Sequence, residues 1–200
     1  MSNIARAEEK RLISDIMKGN RMAMQELYNL TVRNMTAVCS RYVVDQDDVK
    51  DVLQESYLKA FSRIDTFIPR DDGALVAWLR RIVVNESLQL LRRKKLLNQL
   101  VSIDKVEDEL EDVADETELT NYVSTIDIAE LMAMVQELPA GYRTIFNLFA
   151  IEKLPHSKIA SMLGISEGTS ASQYHRARKQ LSQKILDHQN KKLLKMTLST

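Results

Sequence analysis

Polar and cationic side chains recur along one stripe near the carboxyl end of the chain, in PHSKIASMLGISEGTSASQYHRARK (residues 155–179). Their three- and four-residue spacing would place them on one face of a helix. Gln and Arg can each make two hydrogen bonds to the edge of a base. The stripe consists of Thr169, Ser172, Gln173, Arg176 and Lys179 or Gln180. The chemistry that these groups could do is therefore recognition of duplex DNA.

Two short helices joined by a turn would position this stripe. Ile159, Ala160 and Leu163 predict the apolar face of the first helix, and Gly164 allows the sharp turn that follows it. Ser166 can cap the second helix. This arrangement is typical of a helix-turn-helix, whose second helix enters the major groove. A plain helical hairpin with a solvated polar face is the alternative that this stretch alone leaves open.

The composition favours helix throughout. The 200 residues include only five Gly and three Pro, and 44% are hydrophobic. Alternating strand patterns are scarce, so we predict an all-α chain, long enough for two small domains. A single cysteine, Cys39, excludes an internal disulfide and a cysteine cluster for zinc. With no apolar run of membrane-spanning length and no targeting segment, we expect a cytoplasmic protein without membrane insertion.

The charges are segregated along the chain although their sum is zero. Residues 1–95 carry a net charge of +4, residues 96–130 carry −10 and residues 131–200 carry +6. This pattern indicates two mildly basic helical domains joined by an acidic linker.

The first half of the chain contains two further candidate surfaces. After the turn at residues 45–47, acidic residues share one face of a predicted helix, away from its apolar face. A turn-forming stretch, FIPRDDG (residues 67–73), precedes another helix that carries Trp78, Arg81 and Asn85 along one stripe. That helix ends on RRKK (residues 92–95), cations that suit the helix dipole and could also neutralise phosphates.

A catalytic site is not expected. Three dispersed histidines, one cysteine and the absence of a glycine-rich phosphate loop leave no nucleophile–base pair and no metal-ligand set. We therefore predict no enzymatic activity, no cofactor and no metal.

In their order these motifs resemble the bacterial RNA polymerase sigma factors of the extracytoplasmic-function (ECF) group. The resemblance rests on DQDDVKDVLQESYLKAF, WLRRIVVN and RRKK in the first half, and on ELPAGYRTIFNLFAIEKLPHSKIASMLGISEGTSASQYHRARKQL in the second. It implies two small helical domains joined by an acidic linker, the second a helix-turn-helix domain. The implied ranges are 1–97 for a region 2-like domain, 98–125 for the linker, 126–186 for a region 4-like domain and 187–200 for a tail.

The resemblance also implies roles for residues of the first domain. The residues that match the helix docking on core RNA polymerase are Asp48, Asp51, Gln54 and Glu55. Those that match the part opening the minus-ten element are Phe67, Arg70, Trp78, Arg81 and Asn85. Packing in the domain core is the alternative for the two aromatic residues.

In the second domain, the resemblance implies that the recognition helix binds the minus-thirty-five element. The residues carried over are Thr169, Ser170, Ser172, Gln173, His175, Arg176 and Lys179. Family members commonly show a basic, valine-containing stretch where this chain has Ser170-Ala171-Ser172-Gln173. Ser170 thus replaces an apolar packing residue, and we expect weaker DNA binding by this domain alone and a different base preference.

The function implied by the resemblance is that of a sigma factor, which directs promoter-specific initiation without catalysing a covalent step. Its partners would be core RNA polymerase and promoter DNA, with an anti-sigma factor as a further candidate. The alternative is a helix-turn-helix regulator that binds duplex DNA without polymerase. That alternative leaves the first domain unexplained.

Overall fold

A computed structural model describes residues 4–69, 71, 73–94, 96–97 and 126–197 of the chain. These residues form helices and connections without a β-strand, which confirms the all-α prediction. The chain divides into two compact units, residues 1–94 and 95–200. Most of the acidic stretch (residues 98–125) and Arg70 lie outside the described residues. None of the helices in the described ranges is long and apolar enough to cross a membrane.

The described part of the first unit contains four α-helices and one short 3₁₀ helix at Ile64–Thr66. The α-helices are α1 (Arg6–Met17), α2 (Arg21–Cys39), α3 (Gln46–Ser62) and α4 (Ala74–Arg93). Asn20 and Asp45 begin α2 and α3 as side-chain caps, each accepting two backbone N–H bonds. The same bonds hold the pKa of Asp45 below its usual value. Helix α4 packs against both α2 and α3, and α1 packs against α2.

One face of each helix supplies the core of the first unit, as the helical spacing predicts. A cluster of buried side chains joins α1 and α2 to the 3₁₀ helix and to the start of α4. Its members are Ile4, Leu12, Ile13, Ile16, Ala23, Leu27, Ile64 and Leu75. Half-buried Phe67 and Trp78 pack against this cluster.

Two polar contacts tie the long helices together. The Tyr57 hydroxyl on α3 lies 2.7 Å from the Thr31 hydroxyl on α2, which itself donates to the Leu27 carbonyl. Lys59 on α3 forms an ion pair with Glu86 on α4. Burial raises the pKa of Tyr57 to about 12.

Raising the pH toward 12 is expected to destabilise the first unit through Tyr57. The pKa of an unfolded tyrosine stays at about 10, so the unfolded chain loses this proton first. The stabilising contribution is complete below pH 10 and is lost as the pH rises through the folded value. Thermal unfolding of the parent and of Tyr57→Phe between about pH 9 and about pH 12 checks this. Parallel pH profiles of the two proteins would contradict it.

The second unit contains four α-helices in its described part. They are α5 (Ile128–Gln136), α6 (Ala140–Phe146), α7 (His156–Leu163) and α8 (Glu167–Thr197). Pro139 precedes α6, as predicted, because the first turn of a helix does not need its missing N–H. The last helix has 31 residues and continues beyond residue 186.

Helix α8 packs against α5, α6 and α7 and thereby organises the second unit. Leu181 and Ile185 of α8 meet Met134 and Val135 of α5 in a buried cluster. The Arg143 guanidinium is buried too, and it donates to the carbonyls of residues 136 and 138 at the end of α5. Burial lowers the pKa of Arg143.

A π-helical segment, Asn147–Ile151, follows α6 directly. The Glu152 N–H donates to the Asn147 carbonyl at 2.9 Å, a bond that spans five residues instead of four. Such a segment places one extra residue in the helical turn. It leads into the connection to the helix-turn-helix.

Candidate nucleic-acid and polymerase interfaces

Helices α7 and α8 form the two-helix arrangement that the sequence predicts. Gly164 adopts φ +71°, a left-handed conformation that ends α7. The Ser166 hydroxyl then accepts the Thr169 N–H at 2.9 Å and lies 2.7 Å from the Thr169 hydroxyl. This cap starts α8 where Ser166 predicted it. The local chemistry of the turn therefore sets both helix ends.

Five of the seven candidate residues for the minus-thirty-five element reach the surface of α8. Ser172 and His175 are exposed, and Thr169, Arg176 and Lys179 are partly exposed. They lie at spacings of three and four residues and thus share one side of the helix. Hydroxyl, imidazole, guanidinium and ammonium groups are therefore available on this side.

Ser170 and Gln173 do not belong to that side, and the prediction that they face DNA is wrong. Both side chains are fully buried, with an exposed fraction of 0%. Gln173 lies four residues before Ala177, which is also fully buried, so the two share the face of α8 that packs inward. The four-residue spacing of Gln173, Ala177 and Leu181 was the available signal.

Ser170 makes a polar contact between the two helices of the motif. Its hydroxyl lies 2.9 Å from Nδ1 of His156, the first residue of α7. The His156 ring stacks on Phe149 with centroids 4.2 Å apart and an interplanar angle of 9°. Tyr174 contacts the same phenylalanine ring at 4.5 Å. A hydrogen bond and ring stacking thus occupy the place where the resemblance implies apolar packing.

The pair of His156 and Ser170 is expected to behave as one energetic unit. His156→Leu or Ser170→Val alone leaves a polar partner without its bond, so each should lower the free energy of unfolding by about 1–3 kcal/mol. The double variant should cost less than the sum of both. Denaturant unfolding measures the coupling, with Ser172→Val as an exposed control on α8. Effects that add to within about 0.5 kcal/mol would contradict the coupling.

The acidic stripe of α3 is exposed at three of its four predicted positions. Asp51, Gln54 and Glu55 are exposed. Asp48 differs, because its carboxylate pairs with Lys94, with Nζ 2.6 Å from Oδ1, and only 18% of its side chain is exposed. Asp48 therefore ties the start of α3 to the residue after α4, and the other three remain open to a partner.

The candidate minus-ten residues lie at and after the connection to α4. The rings of Phe67 and Trp78 are in contact, with centroids 5.2 Å apart, and both are half-buried. They contribute to the core, as the alternative held, and still reach the surface. Arg81 and Asn85 are exposed on α4, three and seven residues after Trp78. Arg70 lies outside the described residues.

One buried carboxylate in this region was missed. Glu9 of α1 has an exposed fraction of 2% and accepts backbone N–H bonds from the start of α4. Its spacing of three, four and seven residues from Leu12, Ile13 and Ile16 puts it on the apolar face of α1. A charge on that face was the signal. In the described parts of the chain, no group of three or more His, Cys, Asp or Glu could hold a metal ion.

Among solved structures, the chain is similar to CnrH in complex with the cytosolic domain of CnrY. The identity is 23%, the match covers 90% of this chain and 98% of CnrH, and the TM-score is 0.47. It is also similar to the sigma factor RpoE in complex with the anti-sigma factor NepR from Bartonella quintana. There the identity is 21%, the coverage is 82% of this chain and 96% of the other, and the TM-score is 0.47.

Family models and curated relatives cover most of the chain. The model of Sigma-70 region 2 matches residues 27–96, and that of Sigma-70 region 4 matches residues 128–181. The ECF RNA polymerase sigma-E factor of Salmonella typhimurium is 30% identical over 179 residues, 87% of this chain and 92% of the relative. Its Escherichia coli K12 counterpart is 29% identical with the same coverage. The chain therefore belongs to the ECF group of RNA polymerase sigma factors, which direct the initiation of transcription.

Proposed function

We propose that this sigma factor binds core RNA polymerase through α3, opens the minus-ten element with residues around the start of α4, and binds the minus-thirty-five element with α8. The observation that carries the proposal is the distribution of exposed polar side chains over two separate compact units. Separate units allow one chain to contact two promoter elements at once. The range assignments 1–97, 98–125, 126–186 and 187–200 follow from the same proposal.

The polymerase-binding surface is formed by Asp51, Gln54 and Glu55. Two carboxylates and an amide on one exposed face suit a basic partner, because complementary charge speeds encounter and fixes orientation. Asp48 supports this surface through its pair with Lys94. Its role is to hold the start of α3 in place.

The minus-ten surface is formed by Phe67, Trp78, Arg81 and Asn85, and Arg70 stays a predicted member. Opening a duplex sacrifices base stacking, and an aromatic ring can offset this loss by contact with an unpaired base. The Asn85 amide can donate and accept at a base edge, while the Arg81 guanidinium can bind phosphate.

The minus-thirty-five surface is formed by the exposed side of α8. Its members are Thr169, Ser172, His175, Arg176 and Lys179. The two cations supply phosphate or base contacts, and the hydroxyl and imidazole groups supply shorter polar contacts.

The proposed activity involves no covalent step by the chain itself, and it takes place with polymerase in the cytoplasm. An anti-sigma factor that covers these surfaces is proposed as a regulatory partner. Purification of the chain from its native cells under non-inducing conditions tests this part, and recovery of core polymerase alone would count against an inhibitor.

Run-off transcription with core RNA polymerase tests the proposal as a whole. We expect the chain to confer initiation on a promoter from its own genome and to comigrate with core polymerase in stoichiometric amount during gel filtration. Binding to duplex DNA without comigration would instead favour the polymerase-independent regulator. Failure to initiate at every promoter tried would overturn the proposal.

A further inference from the structure

Glu9 links α1 to the start of α4 across more than sixty residues of sequence. Its Oε2 accepts the Gly73 N–H at 3.2 Å, and its Oε1 accepts the Leu75 N–H. The side chain is almost completely buried. A buried carboxylate with two backbone donors is held in one orientation, because loss of either bond would leave a polar group unsatisfied.

Helix α4 has no cap of its own that could replace this carboxylate. The residue before its first turn is Gly73, with φ +76° and ψ +9°, and no side chain near it in sequence caps the helix. Side-chain caps usually come from a residue in the extended region, which Gly73 does not adopt. The carboxylate of Glu9 satisfies the free N–H groups instead, and its negative charge suits the positive end of the helix dipole.

The capped turn lies between the two aromatic residues of the minus-ten surface. Phe67 precedes it, and Trp78 follows Leu75 by three residues. Their rings are in contact at 5.2 Å, so the place of the first turn of α4 determines how these rings meet. Glu9 is therefore connected to that surface through two backbone bonds.

We propose that Glu9 is a positioning residue for strand opening. By fixing the first turn of α4 against α1, it holds Trp78 and the exposed residues after it in the arrangement that receives an unpaired base. This inference rests on the proposed function of the minus-ten surface. It extends the machinery for opening to α1, which precedes the segment matched by the region 2 model.

The test uses the full chain with core polymerase and compares Glu9→Gln and Glu9→Ala with Glu8→Gln. Glu8 is the neighbouring carboxylate on α1, so Glu8→Gln makes the same charge change away from α4. Permanganate reactivity of minus-ten thymines follows opening, and gel filtration follows polymerase binding. The fluorescence of Trp78, the single tryptophan of the chain, reports the local arrangement in the folded state.

We expect opening to slow about tenfold in Glu9→Gln and further in Glu9→Ala, because the amide keeps one acceptor and alanine keeps none. Trp78 emission should shift in the same order, at temperatures where circular dichroism shows a folded chain. Polymerase binding should change less than about twofold, as should every readout in Glu8→Gln. If Glu9→Ala fails to fold, Glu9→Gln decides the question.

Opening rates and Trp78 emission in Glu9→Gln that equal those of Glu8→Gln would overturn the inference. So would an opening defect no larger than the loss of folded protein. Asn85→Ala separates this inference from the function on which it rests. If Asn85→Ala slows opening and Glu9→Gln does not, Glu9 alone is misassigned; if Asn85→Ala has no effect, the minus-ten surface itself is wrong.

Discussion

The charge-reversal variant Asp51→Lys/Glu55→Lys is expected to lose its complex with core RNA polymerase and to lower initiation by about a hundredfold or more. Both carboxylates are exposed on α3, so the substitutions replace an attraction to a basic partner with a repulsion. Like charges placed together at an interface cost several kcal/mol, and each 1.4 kcal/mol changes affinity about tenfold. Gel filtration with core polymerase and run-off transcription measure the two effects.

A control with the same change of net charge separates the stripe from the total charge. Asp65→Lys/Asp187→Lys makes that change at exposed residues of the 3₁₀ helix and α8, outside the stripe. We expect this control to bind polymerase normally, and both double variants to keep the circular dichroism of the parent. Equal loss of binding in the two variants would refute a specific role for the stripe.

The variant Arg176→Ala/Lys179→Ala is expected to weaken minus-thirty-five binding about tenfold to hundredfold at moderate salt. Each lost phosphate contact lowers the dependence of log K on log salt by about one, so two contacts lower it by about two. Anisotropy of a labelled duplex with the polymerase complex, measured at several salt concentrations, gives both quantities. Lys18→Ala/Arg21→Ala removes two exposed cations from the first unit as a control.

Gln173→Ala is expected to act differently from the loss of the two cations. Because Gln173 is fully buried, its replacement should lower the free energy of unfolding and leave the preference among minus-thirty-five bases unchanged. Competition between duplexes with single base changes tests this. An altered base preference with undiminished stability would mean that Gln173 reaches the groove when DNA is bound.

Features of the fold that depend on neighbouring residues were predictable from the sequence. Asn20, Asp45 and Ser166 cap helices whose N–H groups lie two or three residues away, and Gly164 ends α7 through its own backbone conformation. The apolar spacing also placed the helices of both units correctly. In each case the interaction lies within one helical turn, so the sequence contains its cause.

Features that depend on distant contacts were not predictable in this way. The partners of Glu9 are 64 and 66 residues away, and the Ser170 contact to His156 joins two helices. The error at Gln173 has another cause. Its polar side chain suggested an exposed face, while its spacing from Ala177 put it on the buried one. Residue type and periodicity disagreed, and packing against the rest of the unit decided the outcome.

The π-helical segment Asn147–Ile151 makes the second unit sensitive to chain length at one point. A helix advances about 100° per residue, so deleting one residue there would restore ordinary α-helical bonding and rotate everything after it by about that angle. The Phe149 ring that stacks on His156 would then point elsewhere. A frame-preserving deletion of a single codon in this segment should therefore harm promoter recognition more than many substitutions on the DNA-facing side.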